Sequence, residues 1–469
     1  MDPTLVLIDE RLTKTLASNE KEECEKHGKW SELPSLPLEK IYSFLRREDQ
    51  VNMSLVCRSW SEGYGSPSVW KTFRFDLTES QLSIDNCPVM KFVHKYSSMF
   101  LHVEIVSTRV YNWLLKNWCR HLVKFLKMLT SKTQLSSVKF LYFTNFLWRI
   151  DKPTYNNICR EIVEFLASQR HLKRVEFDLC FFNFQECVDI LRKLTENSNL
   201  THLKLKHFLP DKNKDIKQDS NAAQKLPMLS DFPSLKTLHI DYSFLFENMV
   251  ARQSTAIQTA KNCQTPVLSK LILHYLNEFR DIKDFRGLTS TDWGFLKQLY
   301  PDLQVELILI TDSAARRELE FFIVTNMPIT RLDYMDERRE KSESGIDISE
   351  LFGHLLACQT NDHLVTLYLE WKKPIQHLSS TFIPFLQACK KLKCLELIIY
   401  SPTSGIDVLL ESWLENRPES LEKVIIHVSC LDVEDDFSSL MNLTTKYVSL
   451  LKKAGLNISV NLYNHRIAY

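Results

Sequence analysis

Residues 200–205 read LTHLKL, with leucine at the first, fourth and sixth places and polar residues between. The same spacing returns as LKTLHI at 235–240, LSKLIL at 268–273, LVTLYL at 364–369 and LKCLEL at 392–397. Looser copies use aromatic or β-branched residues: Leu172-Val175-Phe177, Leu421-Val424-Ile426, Phe100-Val103-Ile105, Leu135-Val138-Phe140 and Ile329-Leu332-Tyr334. Large residues two apart have the period of a strand with one buried face. Around Leu303, Val305, Leu307 and Leu309 a strand is expected, with its register left open. First positions step by as little as 26 residues (303 to 329) and as much as 37 (135 to 172).

Such steps leave room for a helix after each strand. Between 155 and 171, Ile158, Ile162, Phe165 and Leu166 share one face. Val188, Leu191 and Leu194 do so in the next interval, and Phe382, Phe385, Leu386 and Cys389 later. A one-faced strand and a one-striped helix cannot cover their own apolar sides, so stacking of neighbours is expected. The fold class is therefore α/β: parallel strands inside, helices outside, as an irregular solenoid over residues 76–469. Polar segments 210–227 and 336–347 interrupt the pattern and read as surface loops.

Alternation also nominates the residues facing away from the core. They are Glu104, Lys139, Glu176, Lys204, His239, Ile272, Glu306, Asp333, Tyr368, Glu396 and Ile425. Apolar points within a polar row are how protein interfaces are composed. Lys204, His239, Ile272, Asp333, Tyr368 and Glu396 are the expected contacts to a protein partner.

Composition narrows the chemistry. Nine glycines in 469 residues weigh against phosphate-cradling loops and nucleophile elbows, which need close backbone approach. With 59 Lys+Arg against 58 Asp+Glu the formal charge is +1, without the basic excess of a nucleic-acid binder. The 12 cysteines form no C-x-x-C pair and stand mostly beside aliphatics, as reduced buried thiols in the cytoplasm or nucleus would. His202, His239, His274 and His427 fall on strand positions facing outward and read as polar surface rather than metal ligands. Cys57 has no evident base beside it. No catalytic residue, metal, cofactor, nucleic acid or membrane contact is expected, and no apolar run approaches the ~20 residues a bilayer requires.

Residues 1–29 read as a polar tail, and the character changes at Trp30. The stretch 30–70, WSELPSLPLEKIYSFLRREDQVNMSLVCRSWSEGYGSPSVW, holds three short helical patterns. Leu33-Pro34 and Leu36-Pro37 set extended or first-turn geometry, and Leu38, Ile41 and Leu45 then recur at helical spacing. Asp49 is a plausible N-cap for one further helix, stopped by Gly63 and Gly65. Forty residues cannot bury this many large apolar groups unaided, so some must meet a partner.

Leu33-Pro34, Ile41, Phe44-Leu45, Leu55-Val56-Cys57-Arg58, Trp60 and a closing Trp70 resemble an F-box. The resemblance implies that residues 30–75 bind a Skp-type adaptor, and through it a cullin scaffold, in an SCF-type ubiquitin ligase. It further implies that Leu33, Pro34, Leu36, Pro37, Ile41, Leu45, Leu55, Val56 and Trp60 contact the adaptor. The repeats resemble divergent leucine-rich repeats. The family's Asn or Cys after the last leucine is here Phe143, Cys180, Phe208, Ser243, Leu276 or Tyr400, of which Cys180 fits best. Together they imply a non-catalytic receptor subunit that captures an unidentified protein substrate, or a scaffold working outside the ligase.

Overall fold

The computed structural model describes residues 30–45, 47–84, 87–107, 110–210, 226–251, 267–276, 282–311, 316–336, 346–372, 375, 378–400, 406–429 and 434–463. The proposed tail 1–29 lies outside them, as do most of the polar segments 210–227 and 336–347. The chain divides into two compact units, Met1–Pro227 and Met228–Tyr469.

The first unit opens with four short helices: α1 (Ser35–Phe44), α2 (Arg47–Ser54), α3 (Arg58–Tyr64) and α4 (Pro67–Trp70). The single helix expected after residue 49 is thus two, broken at 55–57, where Leu55 and Val56 leave the helical path. Arg47 precedes Asp49 in α2, so Asp49 is not its cap, and Gly63 lies inside α3 rather than ending it. Gly65 does end it, its N–H reaching Ser61 O and Glu62 O.

Five parallel strands follow: β1 (Thr72–Phe75), β2 (His102–Val106), β3 (Ser137–Leu141), β4 (Arg174–Asp178) and β5 (His202–Lys206). Four helices alternate with them: α5 (Pro88–Tyr96), α6 (Leu115–Lys132), α7 (Lys152–Ser168) and α8 (Phe184–Thr195). The repeats align in register, Val103 with Val138, Val138 with Val175, and Val175 with Leu203. All are 0–2% exposed, as are Ile158, Ile162 and Phe165 on α7 and Val188, Leu191 and Leu194 on α8. Each such side chain contributes about 1.5–3 kcal/mol when withdrawn from water.

An aromatic column runs beside the missing Asn ladder, with Phe140 and Phe177 at the last inward strand position and Phe208 at the ladder position. Phe140 and Phe177 stack at 4.8 Å and 7°, and Phe177 meets Phe208 at 5.0 Å. Phenylalanine cannot hydrogen-bond the turn, so the backbone satisfies itself across repeats. Tyr142 N donates to Asp178 O, Leu179 N to Lys206 O, and Phe182 N to Phe208 O. The turn reverses through left-handed residues, Tyr142, Leu179, Phe181 and His207, with φ between 49° and 65°. Cys180, where the repeat family's position is kept, donates its thiol to Phe140 O at 3.4 Å.

The second unit continues the same architecture with eight parallel strands: β6 (Thr237–Asp241), β7 (Lys270–Leu276), β8 (Gln304–Thr311), β9 (Ile329–Asp336), β10 (Thr366–Trp371), β11 (Cys394–Ile399), β12 (Lys423–Ser429) and β13 (Asn457–Tyr463). Phe352 and Phe385, from consecutive helices, stack at 4.2 Å. The open register resolves as Val305 beside Leu271 and Leu307 beside Leu273. One irregularity interrupts the ladder: Val305 pairs with Ile329 but Glu306 with Arg331, leaving Thr330 as an extra residue. In both units the strands and helices stack as leucine-rich repeats do. No helix among the described residues is long and apolar enough to cross a membrane.

Candidate functional site

The interior of the four-helix segment is small and specific. Leu38 and Tyr42 are the residues that α1 buries, at 1% and 0% exposure, rather than the Leu38, Ile41 and Leu45 series expected from spacing. The Tyr42 hydroxyl donates to Trp60 O at 2.7 Å, tying α1 to α3. Gln50 Nε2 donates to Tyr42 O at 2.8 Å and Leu45 O at 3.2 Å, so α2 caps the end of α1. Trp60 Nε1 donates to Trp30 O at 2.9 Å, closing the N-terminal turn onto α3.

With those groups inside, the remaining apolar side chains have nowhere to go but outward. Leu36 and Phe44 are each 76% exposed, Val56 62% and Leu55 49%. Pro34 and Pro37 are exposed, while Leu33, Ile41, Leu45 and Trp60 are half-buried. The nine residues named from the sequence therefore split into an outer set and a set supporting it. Trp30, 64% exposed, and Phe44 were not among the nine. Phe44 follows Ile41 by three positions, a helical-face spacing that marks it, whereas Trp30 is placed by a long-range hydrogen bond that no local pattern encodes.

The segment is fastened to the first repeat through Trp70. Its indole donates to Tyr64 O at 2.6 Å, and its ring lies 4.5 Å from Phe92 and 5.2 Å from Tyr96. Phe73 on β1 stacks on Phe100 at 4.6 Å, carrying the same packing into the sheet.

The outward row on the strands separates by electrostatics. In the first unit Glu104, Lys139, Glu176 and Lys204 occupy one rung. Their charges are answered within the chain: Lys139 reaches Glu104 at 2.9 Å, Lys204 reaches Asp178 at 2.7 Å, and Arg174 holds Glu176. In the second unit His239, Ile272 and Glu306 share a rung, and so do Asp333, Tyr368, Glu396 and Ile425. The extra residue in β9 offsets these two groups, so Glu306 faces Arg331 and Asp333 faces Ile308. The row is therefore not continuous, contrary to simple alternation. Asp333 is also not an open surface residue: it is 5% exposed and holds Arg331 by two bonds of 2.8 and 2.9 Å.

Tyr368 and Glu396 are half-buried neighbours across the ladder. The Tyr368 and Tyr400 hydroxyls both donate to Glu370, at 3.3 and 3.0 Å. Burial, with Glu370 and Glu396 beside it, raises the Tyr368 hydroxyl above its ordinary pKa and keeps it a donor. His239 and His274 approach to 6.3 Å on adjacent strands, and His427 stacks on Tyr463 at 5.8 Å. Among the described residues no three metal-ligating side chains gather. Burial pushes the Cys119, Cys159 and Cys389 thiols up to about 12, so they stay protonated at neutral pH.

Comparison with known proteins agrees with this geometry. The family model of the F-box domain matches residues 30–62. F-box/LRR-repeat protein 21 of Bos taurus is 29% identical over 85 residues, which are 17% of this chain and 19% of that protein. The proteins of the same name in Ovis aries and Mus musculus are each 28% identical over the same shares. The matched segment thus spans about a fifth of the length of these relatives. Among solved structures, the crystal structure of a TLR13–ssRNA13 complex aligns with 86% of this chain and 53% of that chain. The alignment is at 13% identity and a TM-score of 0.26, a likeness too loose to argue from. The class is an F-box domain joined to repeats of the leucine-rich type.

Proposed function

We propose that the chain is the substrate-recognition subunit of an SCF-type ubiquitin ligase. Residues 30–75 would hold a Skp-type adaptor and, through it, a cullin scaffold, and the repeats over 76–469 would hold a protein substrate. The chain would perform no chemistry itself, its effect being to keep the substrate's lysines near the conjugating machinery. The observation that carries this reading is the set of exposed apolar side chains on the F-box, Leu36, Phe44, Leu55 and Val56. Large apolar groups left in water on a small helical unit mark a surface built to be covered.

The test is co-expression with a Skp-type adaptor. The wild-type chain should elute with it, and Leu36→Asp with Val56→Asp should elute alone while keeping its circular dichroism. A wild-type chain that elutes without adaptor ends the proposal. Adaptor without cullin in the same pull-down from cells would instead favour a scaffold outside the ligase.

For the substrate we propose Ile272, Tyr368 and Glu396 as the contact residues, with His239 beside Ile272. Lys204, in the first unit, would be a separate contact, and Asp333, buried and held by Arg331, is not among the contacts. Replacing Tyr368 by Ala and Glu396 by Lys should reduce substrate capture in cells blocked for degradation, and undiminished capture would remove these residues from the site.

A further inference from the structure

The first unit carries a second group of exposed apolar side chains, on the loops that leave the C-terminal ends of β2 and β3. Large aromatics are normally mostly buried. Here Tyr111 is 58%, Trp113 64% and Trp148 78% exposed, with Tyr142 at 41%. The two loops form one surface, because Asn145 Nδ2 donates to Ser107 O at 2.9 Å and Arg149 donates to Val110 O at 3.4 Å. The Tyr111 and Trp113 rings are held nearly parallel, 6.3 Å apart. Trp148 also walls a groove of about 590 Å³ whose lining includes Tyr155, Phe181 and Phe184. Rigid aromatic anchors displayed at a loop edge are the side chains that dominate protein interfaces.

The charge around these rings is one-sided. Lys116 and Lys152 form no salt bridge among the described residues, although the Asp151 carboxyl, lowered first by its hydrogen bonds with Thr154, is lowered further by the charge of Lys116. The Arg149 guanidinium donates to the carbonyls of Val110 and Asn145, at 3.4 and 2.9 Å, and pairs with no carboxylate among the described residues. Two carboxylates stand beside these cations: Asp151, which accepts the Thr154 N–H at 2.7 Å as a helix cap, and Glu186 in the groove.

We propose that this rim docks an acidic, apolar-rich peptide segment of a protein partner. Its apolar side chains lie on Trp113 and Trp148, and its carboxylates meet Lys116, Arg149 and Lys152. Charge complementarity selects the acidic partner, and the aromatic rings supply the area that a cation cluster alone lacks.

The test uses the full chain and three fluorescein-labelled probes. One is a short peptide alternating Glu with Leu and Trp, the second is the same peptide with Lys for Glu, and the third is single-stranded oligothymidylate. The acidic peptide should bind, and bind less as salt rises. Trp148→Ala, and separately Lys116→Glu with Lys152→Glu, should each weaken it about tenfold or more. Co-purification with the adaptor should be unchanged in these variants, which shows that the unit is folded and separates this site from the F-box. Equal or tighter binding of the lysine peptide, preference for oligothymidylate, affinity unaffected by the substitutions, or no binding of the acidic peptide would each overturn the proposal.

Discussion

Gly63 shows how one residue sets the docking segment. A Cβ there would stand 2.5 Å from Leu38 Cδ2 and 3.1 Å from its Cγ, against a side chain only 1% exposed. Gly63→Val should therefore destabilise the F-box by about 1–3 kcal/mol through overpacking. Chemical denaturation monitored by fluorescence measures it, and an unchanged midpoint would contradict the packing described. In the second unit Glu247 is 4% exposed and accepts the N–H of Gly287 at 2.7 Å and of Arg286 at 3.2 Å. Gly287 has φ +82°, a conformation a side chain would strain. Burial pushes the Glu247 carboxyl above the ordinary 4.5, and the two N–H groups offset this only in part. A carboxyl with a raised folded pKa contributes fully below its unfolded value and loses that contribution as pH rises through the folded one. Compared with Glu247→Gln, the wild-type chain should lose stability as pH rises above the ordinary carboxyl value of 4.5. Wild-type stability that rises relative to Glu247→Gln as pH increases would refute the assignment.

Among elements, the inner strands were legible and their ends less so. The spacing of leucines identified eleven strands, β2 to β12, because each buries two residues two apart behind a third, as Leu200, Leu203 and Leu205 do. β1 was missed although Trp70, Phe73 and Phe75 repeat the loose spacing, because Trp70 was read only as the close of the helical segment. β13 was missed because Leu456 and Ile458 are two residues apart rather than three. The bulge at Thr330 was equally hidden, since the three-residue step from Ile329 to Leu332 is the one other repeats make from their first leucine to the next, and only the pairing with Val305 and Leu307 reveals the extra residue. The aromatic column is the element-scale feature with the largest consequence for stability. Phe177 is fully buried and touches Phe140, Phe182 and Phe208. Phe177→Ala should destabilise the first unit by about 3–5 kcal/mol, by transfer and cavity terms together. A loss under about 1 kcal/mol would mean that the column repacks freely.

For the whole molecule, near-neutral charge and glycine poverty have structural counterparts. The turns between repeats use left-handed Tyr142, Leu179, Phe181 and His207 where glycine would be easier, held by hydrogen bonds to a neighbouring repeat. Charges on the strands are largely cancelled by neighbours, as in Lys139 with Glu104 and Lys270 with Glu306. If the proposed adaptor docks on the exposed apolar Leu36, Phe44 and Val56, the complex should persist on a sizing column at high salt. Dissociation on raising the salt would show that charge, not apolar burial, holds the adaptor. The repeating strands, the helical stripes and the apolar excess of residues 30–70 were determined by sequence alone, because periodicity and local composition are properties of neighbours along the chain. Tertiary structure decided which excess residues stay outside, which charges are already paired, and where the row of outward residues slips. Each of those depends on the partner strand or helix that a side chain meets, and no spacing along the chain encodes it.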